Sequence, residues 1–364
     1  MKIKASKTLV LTRREVQQIV QHHGLDKVMD TLIARLTEAI HTFNPEKTVI
    51  PMRSGFNYLQ PNPGLVEWMP LYQTGEEVII KLVGYHPQNP DKFELPTIMS
   101  TISGYDTSTG HLFGLMDGVF LTALRTGAAS AVASNYLAHP DSTVLGLLGG
   151  GAQALTQLHA LSRNFKIQKV LVYDIDADTM LSFKNRCAIL DLDVEIIATD
   201  LEAVVAGADI LCTATSIDPG AGPLFEEVAT KTHLHINSIG SDFPGKVELP
   251  VELLKRSFVC PDFMDQALVE GECQQLERAD IDADLAEVVK NELNYTAVKE
   301  QLSVFDSTGW ALEDAVVMEL FMDYARDLGL GHEMEIEIVT EDAKNPYGFI
   351  QTKQPQLVAD NKEQ

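Results

Sequence analysis

The sequence predicts an α/β protein made of a Rossmann-type doubly wound parallel sheet and a second, α+β domain. From residue 143 onward, apolar strand-like runs alternate with helix-like segments, as in a parallel sheet covered on both faces. The first of these runs breaks into three glycines before a helix-like segment. The first 130 residues instead carry short strand-like runs separated by turn residues, which favours an antiparallel sheet.

The glycines lie in the segment TVLGLLGGGAQA, where Gly149, Gly151 and Ala154 fit the pattern G-x-G-x-x-G/A. In that pattern the first small residue allows a tight turn and the second lets the backbone approach a pyrophosphate. The third lets the helix pack on its strand. The free N–H groups at the start of that helix suit an anion. Taken alone, the glycines are also compatible with an ordinary tight turn.

An acidic residue follows at the spacing that a dinucleotide site requires. The apolar run Lys169–Tyr173 ends in Asp174, roughly twenty residues beyond the glycines. A carboxylate there accepts hydrogen bonds from a ribose 2′-hydroxyl and repels a 2′-phosphate. No Lys or Arg follows in the sequence DIDAD. The sequence therefore predicts NAD as the cofactor, in preference to NADP.

Length and charge narrow the class of protein. A chain of 364 residues is expected to form two domains, here 1–130 with 315–364, and 131–314. The net charge of −24 argues against nucleic acid or an anionic membrane as a partner. The four cysteines form no C-x-x-C pair and the N-terminus shows no apolar leader, so we expect a soluble, cytoplasmic protein with reduced thiols. No spacing of residues predicts a metal site.

The elements are predicted in chain order. Thr12 is a plausible N-cap for a helix over Arg13–Phe43, and a second helix covers Thr122–Ala138. The expected strands of the first domain are TVIPMR, LVEWMP, EVIIKLVGY, TIMSTISGYD and HLFGLMDG.

The second domain continues the pattern of alternating strands and helices. Its expected strands are 143–148, 169–174, 193–198, 209–214, 234–239 and, later, Ser303–Phe305. A helix over Leu312–Leu328 ends at Gly329, and the final VADNKEQ is expected to fray.

A second loop with chemical potential is IGSDFPGK. Gly240, Gly245 and Lys246 imitate a P-loop, but Val247 stands where magnesium binding needs Ser or Thr. We therefore interpret INSIG as a strand and SDFPGK as the loop at its carboxyl end, where open α/β sheets bind ligands. Asp242 and Lys246 become candidates for acid–base and anchoring roles, with a solvated turn as the alternative.

Several motifs together resemble the ornithine cyclodeaminase/mu-crystallin family. They are GGGAQA, IGSDFPGK, LMDGVFLTALRTGAAS and VFDSTGWALED, and the resemblance covers roughly residues 40–345. KLVGYHPQNP and VEGECQQ resemble bacterial ornithine cyclodeaminases in particular. The family also includes imino-acid reductases, amino-acid dehydrogenases and mu-crystallins. It implies a homodimer or higher homo-oligomer, assembled through the N-terminal sheet domain.

The resemblance implies a substrate site. Arg53, Lys81 and Arg125 match positions that bind the substrate carboxylate, a role that suits a guanidinium fork. Thr97 matches a hydroxyl near the same site, although a solvent-facing strand threonine is the alternative. Asp242 matches the catalytic acid, and Glu67 in VEWMP matches a second acidic group near the substrate.

The resemblance also implies a cofactor site, formed by Gly149, Gly151, Ala152, Gln153, Asp174, Thr215, Lys246 and Ser307. Two departures from the family pattern stand out. Gly84 lies where relatives carry Asn, which bears on substrate selectivity. Gly127 lies where the family has Ala, and we expect it to loosen the start of its helix.

The resemblance predicts an NAD-dependent ornithine cyclodeaminase, an enzyme of amino-acid metabolism. It would convert L-ornithine to L-proline and ammonia, with hydride returned to the product. One alternative is a reductase of cyclic imino acids, or an amino-acid dehydrogenase with the same cofactor. A further alternative, of another class, is a non-catalytic cofactor-binding protein like the mu-crystallins.

Overall fold

The structure is a computed structural model that describes residues 7–226 and 228–351. The expected fraying of VADNKEQ concerns residues outside that part. The strands are β1 (Thr8–Leu11), β2 (Thr48–Val49), β3 (Ser54–Tyr58), β4 (Gly64–Gln73), β5 (Glu77–Tyr85), β6 (Ile98–Asp106), β7 (Leu112–Asp117), β8 (Val144–Leu148), β9 (Lys169–Tyr173), β10 (Glu195–Ala198), β11 (Ile210–Thr213), β12 (His235–Ser238), β13 (Phe258–Pro261), β14 (Ser303–Asp306) and β15 (His332–Met334).

The α-helices follow in the same order. They are α1 (Arg13–His23), α2 (Leu25–Thr42), α3 (Asn89–Phe93), α4 (Val119–Leu137), α5 (Ala152–Asn164), α6 (Ala177–Arg186), α7 (Leu201–Gly207), α8 (Val251–Lys255), α9 (Met264–Glu270), α10 (Leu285–Lys290), α11 (Glu292–Tyr295) and α12 (Ala311–Leu328). Among the described residues, every helix is too short or too polar to cross a lipid bilayer.

The second half of the chain forms a parallel sheet in the order β10-β9-β8-β11-β12-β14-β13. The predicted Rossmann-type fold is confirmed, and each of the six expected strands is present within a residue or two. β13 was missing from the prediction. The strand order reverses between β8 and β11, and this switch point opens a crevice at the carboxyl ends of the strands.

The first half forms a mixed sheet in the order β15-β1-β7-β6-β5-β4-β2, with β3 on β4. The strands from β2 to β7 pair antiparallel as predicted, but β1, which was not predicted, joins the sheet in parallel with β7. The two strands lie about a hundred residues apart in the chain, so no turn signal links them. TVIPMR forms only the short β2, since proline lacks the N–H that a sheet ladder uses.

Helices α1 and α2 correct one prediction and confirm another. The single helix expected over Arg13–Phe43 is broken at Gly24, whose φ of +83° ends α1 and turns the chain into α2. Hydrophobic periodicity continues across this break, which hid it from the sequence. Thr12 caps α1 as predicted, in a reciprocal capping box with Glu15.

Helix α4 lies between the two sheets and packs closely on α5. A Cβ at Gly127 would lie 2.6 Å from the carbonyl oxygen of Thr156, so only glycine allows this approach of the two backbones. The expectation that Gly127 loosens the start of its helix was therefore wrong: it lies inside α4 and permits tight packing. The predicted last helix is confirmed as α12, which ends at Gly329 with a φ of +63°.

The two sheets draw on separate parts of the chain. The parallel sheet uses strands from residues 144–306, and the mixed sheet uses strands from 8–117 and 332–334. The division into 1–130 with 315–364, and 131–314, stays a prediction.

Candidate active site

A cleft of about 410 Å³ opens between the mixed sheet and the loops that follow β11 and β12. It brings together four of the predicted site residues, Arg53, Glu67, Asp242 and Lys246. Residues that the prediction did not include also line it, among them Tyr58, Tyr85, Ile98 and Asp218.

Arg53 lies at one side of the cleft between two carboxylates. Its Nε is 2.5 Å from Oε1 of Glu270 and its Nη1 is 3.7 Å from Oε2 of Glu67. The guanidinium also donates to the carbonyl oxygen of Thr308. Burial raises the pKa of Glu67, and it raises the pKa of Glu270 to about 7. Glu270 was not predicted, although it lies in the motif VEGECQQ.

Lys81 and Arg125 are not among the residues that line the cleft, and both are buried. The Lys81 Nζ is 2.8 Å from Oδ2 of Asp314, and the Arg125 Nε is 3.0 Å from Oδ1 of the same carboxylate. Arg125 Nη1 is also 2.7 Å from Oε2 of Glu313. Burial, with the nearby charge of Arg125, lowers the pKa of Lys81 to about 8. Burial raises the pKa of Glu313 to about 8.

Asp242 and Lys246 face each other on the loop after β12. The Lys246 Nζ is 3.0 Å from Oδ1 of Asp242 and lies 4.5 Å from the centroid of the Tyr85 ring. Burial opposes the charge of Lys246, but Asp242 and Tyr85 outweigh it and raise its pKa. The Asp242 side chain is 37% exposed, so its second oxygen can meet a substrate in the cleft.

The glycine turn has the geometry that a dinucleotide needs. Gly149 has a φ of +91°, and a Cβ there would lie 2.5 Å from the carbonyl oxygen of Ala214. Among the described residues, nothing lies within 4 Å of a Cβ placed on Gly151, and no side chain caps the start of α5. Asp174 accepts the N–H of Gly150 at 2.7 Å. Open space beside uncapped N–H groups fits the diphosphate of NAD.

The remaining predicted cofactor residues lie along the same edge. Ala152 begins α5, and the Gln153 Oε1 accepts the hydroxyl of Thr156 at 3.1 Å. Thr215 uses both its N–H and its hydroxyl to bind Oε1 of Glu248, at 2.8 and 2.6 Å. Ser307 is buried and its hydroxyl donates to Asp262 at 3.3 Å. Their contacts with the cofactor stay predictions.

Thr97 lies next to the cleft. It immediately precedes β6, and its carbonyl oxygen accepts the N–H of His86 at 2.9 Å. The neighbouring Ile98 lines the cleft. The role of the Thr97 hydroxyl stays a prediction.

Three buried carboxylates hold the loops around the cofactor edge: Asp306, for which a structural role was expected, and Glu248 and Glu272, which were not predicted. Glu248 accepts the N–H of Gly240 as well as the groups of Thr215. Glu272 accepts the N–H of Glu248 at 2.7 Å, and Asp306 accepts the N–H of Glu272 at 2.9 Å. Burial raises the pKa of all three carboxyl groups, that of Asp306 to about 7. Isolated acids in the sequence carried no signal that they would meet.

The fold and the site together define the class of the protein, a dinucleotide-dependent enzyme. The chain belongs to the ornithine cyclodeaminase/mu-crystallin family, whose model matches residues 7–328. The family predicted from the motifs is therefore confirmed.

Individual relatives refine this result. An L-lysine cyclodeaminase of Streptomyces rapamycinicus is 42% identical over 343 residues, which are 94% of this chain and 99% of that protein. An ornithine cyclodeaminase of Agrobacterium tumefaciens is 30% identical over 292 residues, 79% of this chain and 80% of its own. The lysine enzyme is thus the more similar of the two.

Solved structures agree with the fold. A lysine cyclodeaminase, solved to explain recognition of L-lysine, L-ornithine and L-2,4-diaminobutyric acid, has a TM-score of 0.91 and 46% identity, with 94% of this chain and 99% of that one covered. An archaeal alanine dehydrogenase dimer with bound NAD has a TM-score of 0.80 and 31% identity, with 91% and 100% covered. The predicted cofactor is confirmed: this is an NAD-dependent enzyme of the cyclodeaminase family.

Proposed function

We propose that the protein is an L-lysine cyclodeaminase, which forms L-pipecolate and ammonia, and that L-ornithine is its shorter alternative substrate. The observation that carries this proposal is the 42% identity to a lysine cyclodeaminase along 94% of the chain. The motifs alone favoured L-ornithine. A related structure that recognises both diamino acids supports keeping ornithine as the second candidate.

In the proposed site, the α-carboxylate of the substrate binds Arg53, Lys81 and Arg125. Asp314 pairs with both Lys81 and Arg125, so these cations are oriented before the substrate arrives. A guanidinium can donate two parallel hydrogen bonds to one carboxylate and so fix its orientation. The orientation of the carboxylate in turn limits the direction of the substrate's Cα–H bond.

The cofactor side of the site is the glycine turn. Gly149, Gly151 and Asp174 would hold NAD, which when bound supplies a hydride acceptor that later returns the hydride, so the net reaction is deamination.

The acidic side of the site handles the second amine. Glu67 lines the cleft and would place its carboxylate beside a terminal ammonium that enters there. The Asp242 carboxylate takes a proton from that ammonium, because only the neutral amine can attack carbon. Lys246 orients this carboxylate through its hydrogen bond to Oδ1. The same carboxyl group can return the proton to the departing amine.

Turnover with a trace of NAD tests the proposal. The purified protein is incubated with L-lysine or L-ornithine, and ammonia, pipecolate, proline and NADH are measured. We expect pipecolate and ammonia in equal amounts, without accumulation of NADH. NADH in proportion to substrate would instead support a dehydrogenase. NAD binding without turnover of any amino acid would support a mu-crystallin-like binding protein.

The variant Asp242→Asn tests the assignment of the proton acceptor. We expect kcat to fall by roughly a hundredfold or more, with an unchanged Kd for NAD. Asp218→Asn is the matched control, because Asp218 is an exposed carboxylate that lines the same cleft. Full cyclisation activity in Asp242→Asn would refute the assignment.

Assembly and location belong to the same proposal. The dimeric state of the archaeal alanine dehydrogenase supports a homodimer. The cytoplasmic location stays a prediction.

A further inference from the structure

Arg186, at the end of α6, lies against the glycine turn and holds its carbonyl groups. Its Nη2 donates to the carbonyl oxygens of Gly150 at 2.5 Å and Thr179 at 2.9 Å. Its Nη1 lies 3.5 Å from the carbonyl oxygen of Gly151. The guanidinium also lies 5.3 Å from the ring centroid of the buried Phe183. These contacts fix the position of the cation.

The residue at the centre of the turn, Gly150, is held at both of its polar groups. Asp174 accepts its N–H at 2.7 Å, and Arg186 donates to its carbonyl oxygen. Two side chains from the segment after β9 therefore clamp one glycine. Three consecutive glycines make this part of the backbone very flexible. The two side-chain contacts therefore restrict the conformations that Gly150 can adopt.

The clamp determines where the donors of the turn point. In a planar trans peptide, the C=O of one residue and the N–H of the next point in opposite directions. Because the carbonyl groups of Gly150 and Gly151 face Arg186, the N–H groups of Gly151 and Ala152 point away from it. These N–H groups lie at the start of α5, which no described side chain caps. A Cβ on Gly151 would meet none of the described atoms within 4 Å.

We propose that Arg186 is a positioning residue for the diphosphate of NAD. It orients the N–H donors of the turn before the cofactor binds, which reduces the ordering that binding would otherwise require. Arg186 acts through the backbone, and its donors are used by carbonyl oxygens.

The variant Arg186→Gln tests this proposal by binding alone. The Kd values of the cofactor-free protein are measured by calorimetry for NAD and ADP, and by competition for adenosine. We expect NAD and ADP to bind roughly tenfold more weakly or worse, while adenosine binds as to the wild type. An equal loss for adenosine would show a general structural role and overturn the proposal. An unchanged Kd for NAD would overturn it too.

Arg163→Gln is the matched control. Arg163 lies at the far end of α5 from the glycine turn, where it pairs with Asp26 and Asp30 of α2. We expect its Kd for NAD to equal that of the wild type. A loss equal to that of Arg186→Gln would overturn the proposal.

A conservative variant keeps the test valid if Arg186→Gln folds poorly. Arg186→Lys retains the charge and can reach one carbonyl group. We expect it to recover part of the affinity for NAD and ADP, with thermal stability near that of the wild type. During turnover it should raise the KM for NAD and leave kcat at saturating NAD unchanged. A fall in kcat with no change in that KM would contradict a role in cofactor positioning.

Discussion

The carboxylate of Asp314 lies 2.8 Å from the ammonium of Lys81, and each side chain is only 1% exposed. The same carboxylate receives the Nε of Arg125 at 3.0 Å. One residue of α12 thus joins a cation of β5 to a cation of α4. Two of the three cations proposed to bind the substrate carboxylate are therefore paired within the protein, and the substrate must share them with Asp314.

Replacement of Asp314 should be costly to stability. Asp314→Asn leaves two buried cations without their shared counter-ion, and loss of one partner of a buried ion pair costs about 3–5 kcal/mol. The free energy of unfolding in urea measures this loss. Asp323→Asn is the control, because its ion pair with Arg35 is 38–45% exposed and should contribute less than about 1 kcal/mol. Similar losses in the two variants would contradict the prediction.

Binding of a simple carboxylate should weaken in alkaline solution. Burial lowers the pKa of Lys81 to about 8, so this side chain is charged below that pH and becomes neutral above it. The inhibition constant of n-valerate, which has no amine to titrate, should report this loss of charge, apart from any change near pH 7 caused by Glu270, whose pKa is about 7 and which contacts Arg53. Above about pH 8 it should rise by up to tenfold per pH unit.

The variant Lys81→Arg provides the control for this measurement, since a guanidinium keeps its charge at every pH in the range. Its inhibition constant should rise less than that of the wild type between about pH 8 and 9.5, because the titration of Lys81 is removed while that of Glu313 beside Arg125 remains. A wild-type inhibition constant that is flat across roughly pH 7 to 9.5 would show that Lys81 does not bind the carboxylate.

The pH dependence of stability should depend on Glu270. Its pKa is raised by burial from 4.5 to about 7, so between these values the folded protein binds a proton that the unfolded chain releases. Stability from this group is complete below pH 4.5 and is lost as the pH rises to about 7. The full loss amounts to about 3 kcal/mol.

Glu270→Gln removes this titration. Between about pH 5 and 7.5 its free energy of unfolding should fall less than that of the wild type. The difference between the two decreases should be about 2–3 kcal/mol. Glu277→Gln changes an exposed glutamate nearby in the chain and should follow the wild-type curve. Parallel curves for all three proteins would exclude Glu270 as the titrating group.

Two glycines of the turn should respond differently to alanine. Gly149→Ala forces a side chain into a positive φ and within 2.5 Å of the Ala214 carbonyl oxygen, so it should cost more than about 2 kcal/mol of stability. Gly151→Ala adds a methyl group in open space and should leave stability within about 1 kcal/mol. That methyl group would occupy the approach of the diphosphate, so the Kd for NAD should rise about tenfold or more. Equal stability in the two variants would contradict this account.

Much of the parallel sheet could be predicted from sequence, because each of its signals is local. A buried strand, a glycine turn and a helix lie within about twenty residues of chain, and Asp174 follows at a set spacing. The capping of α1 by Thr12 is equally local. Gly24 shows the limit of this approach, since the apolar stripe of the helix continues through a residue that breaks it.

The cofactor and the family were determined by the sequence itself, because the groups that touch a dinucleotide lie on one short segment. The charge balance of the site was decided only by the tertiary structure. Lys81 and Asp314 lie 233 residues apart, and Arg186 meets Gly150 across 36 residues. The sequence does not distinguish a carboxylate or guanidinium that folding buries from one that stays on the surface. A buried charge requires a partner of opposite charge or a hydrogen-bonding group such as a carbonyl, and only the tertiary structure brings that partner close.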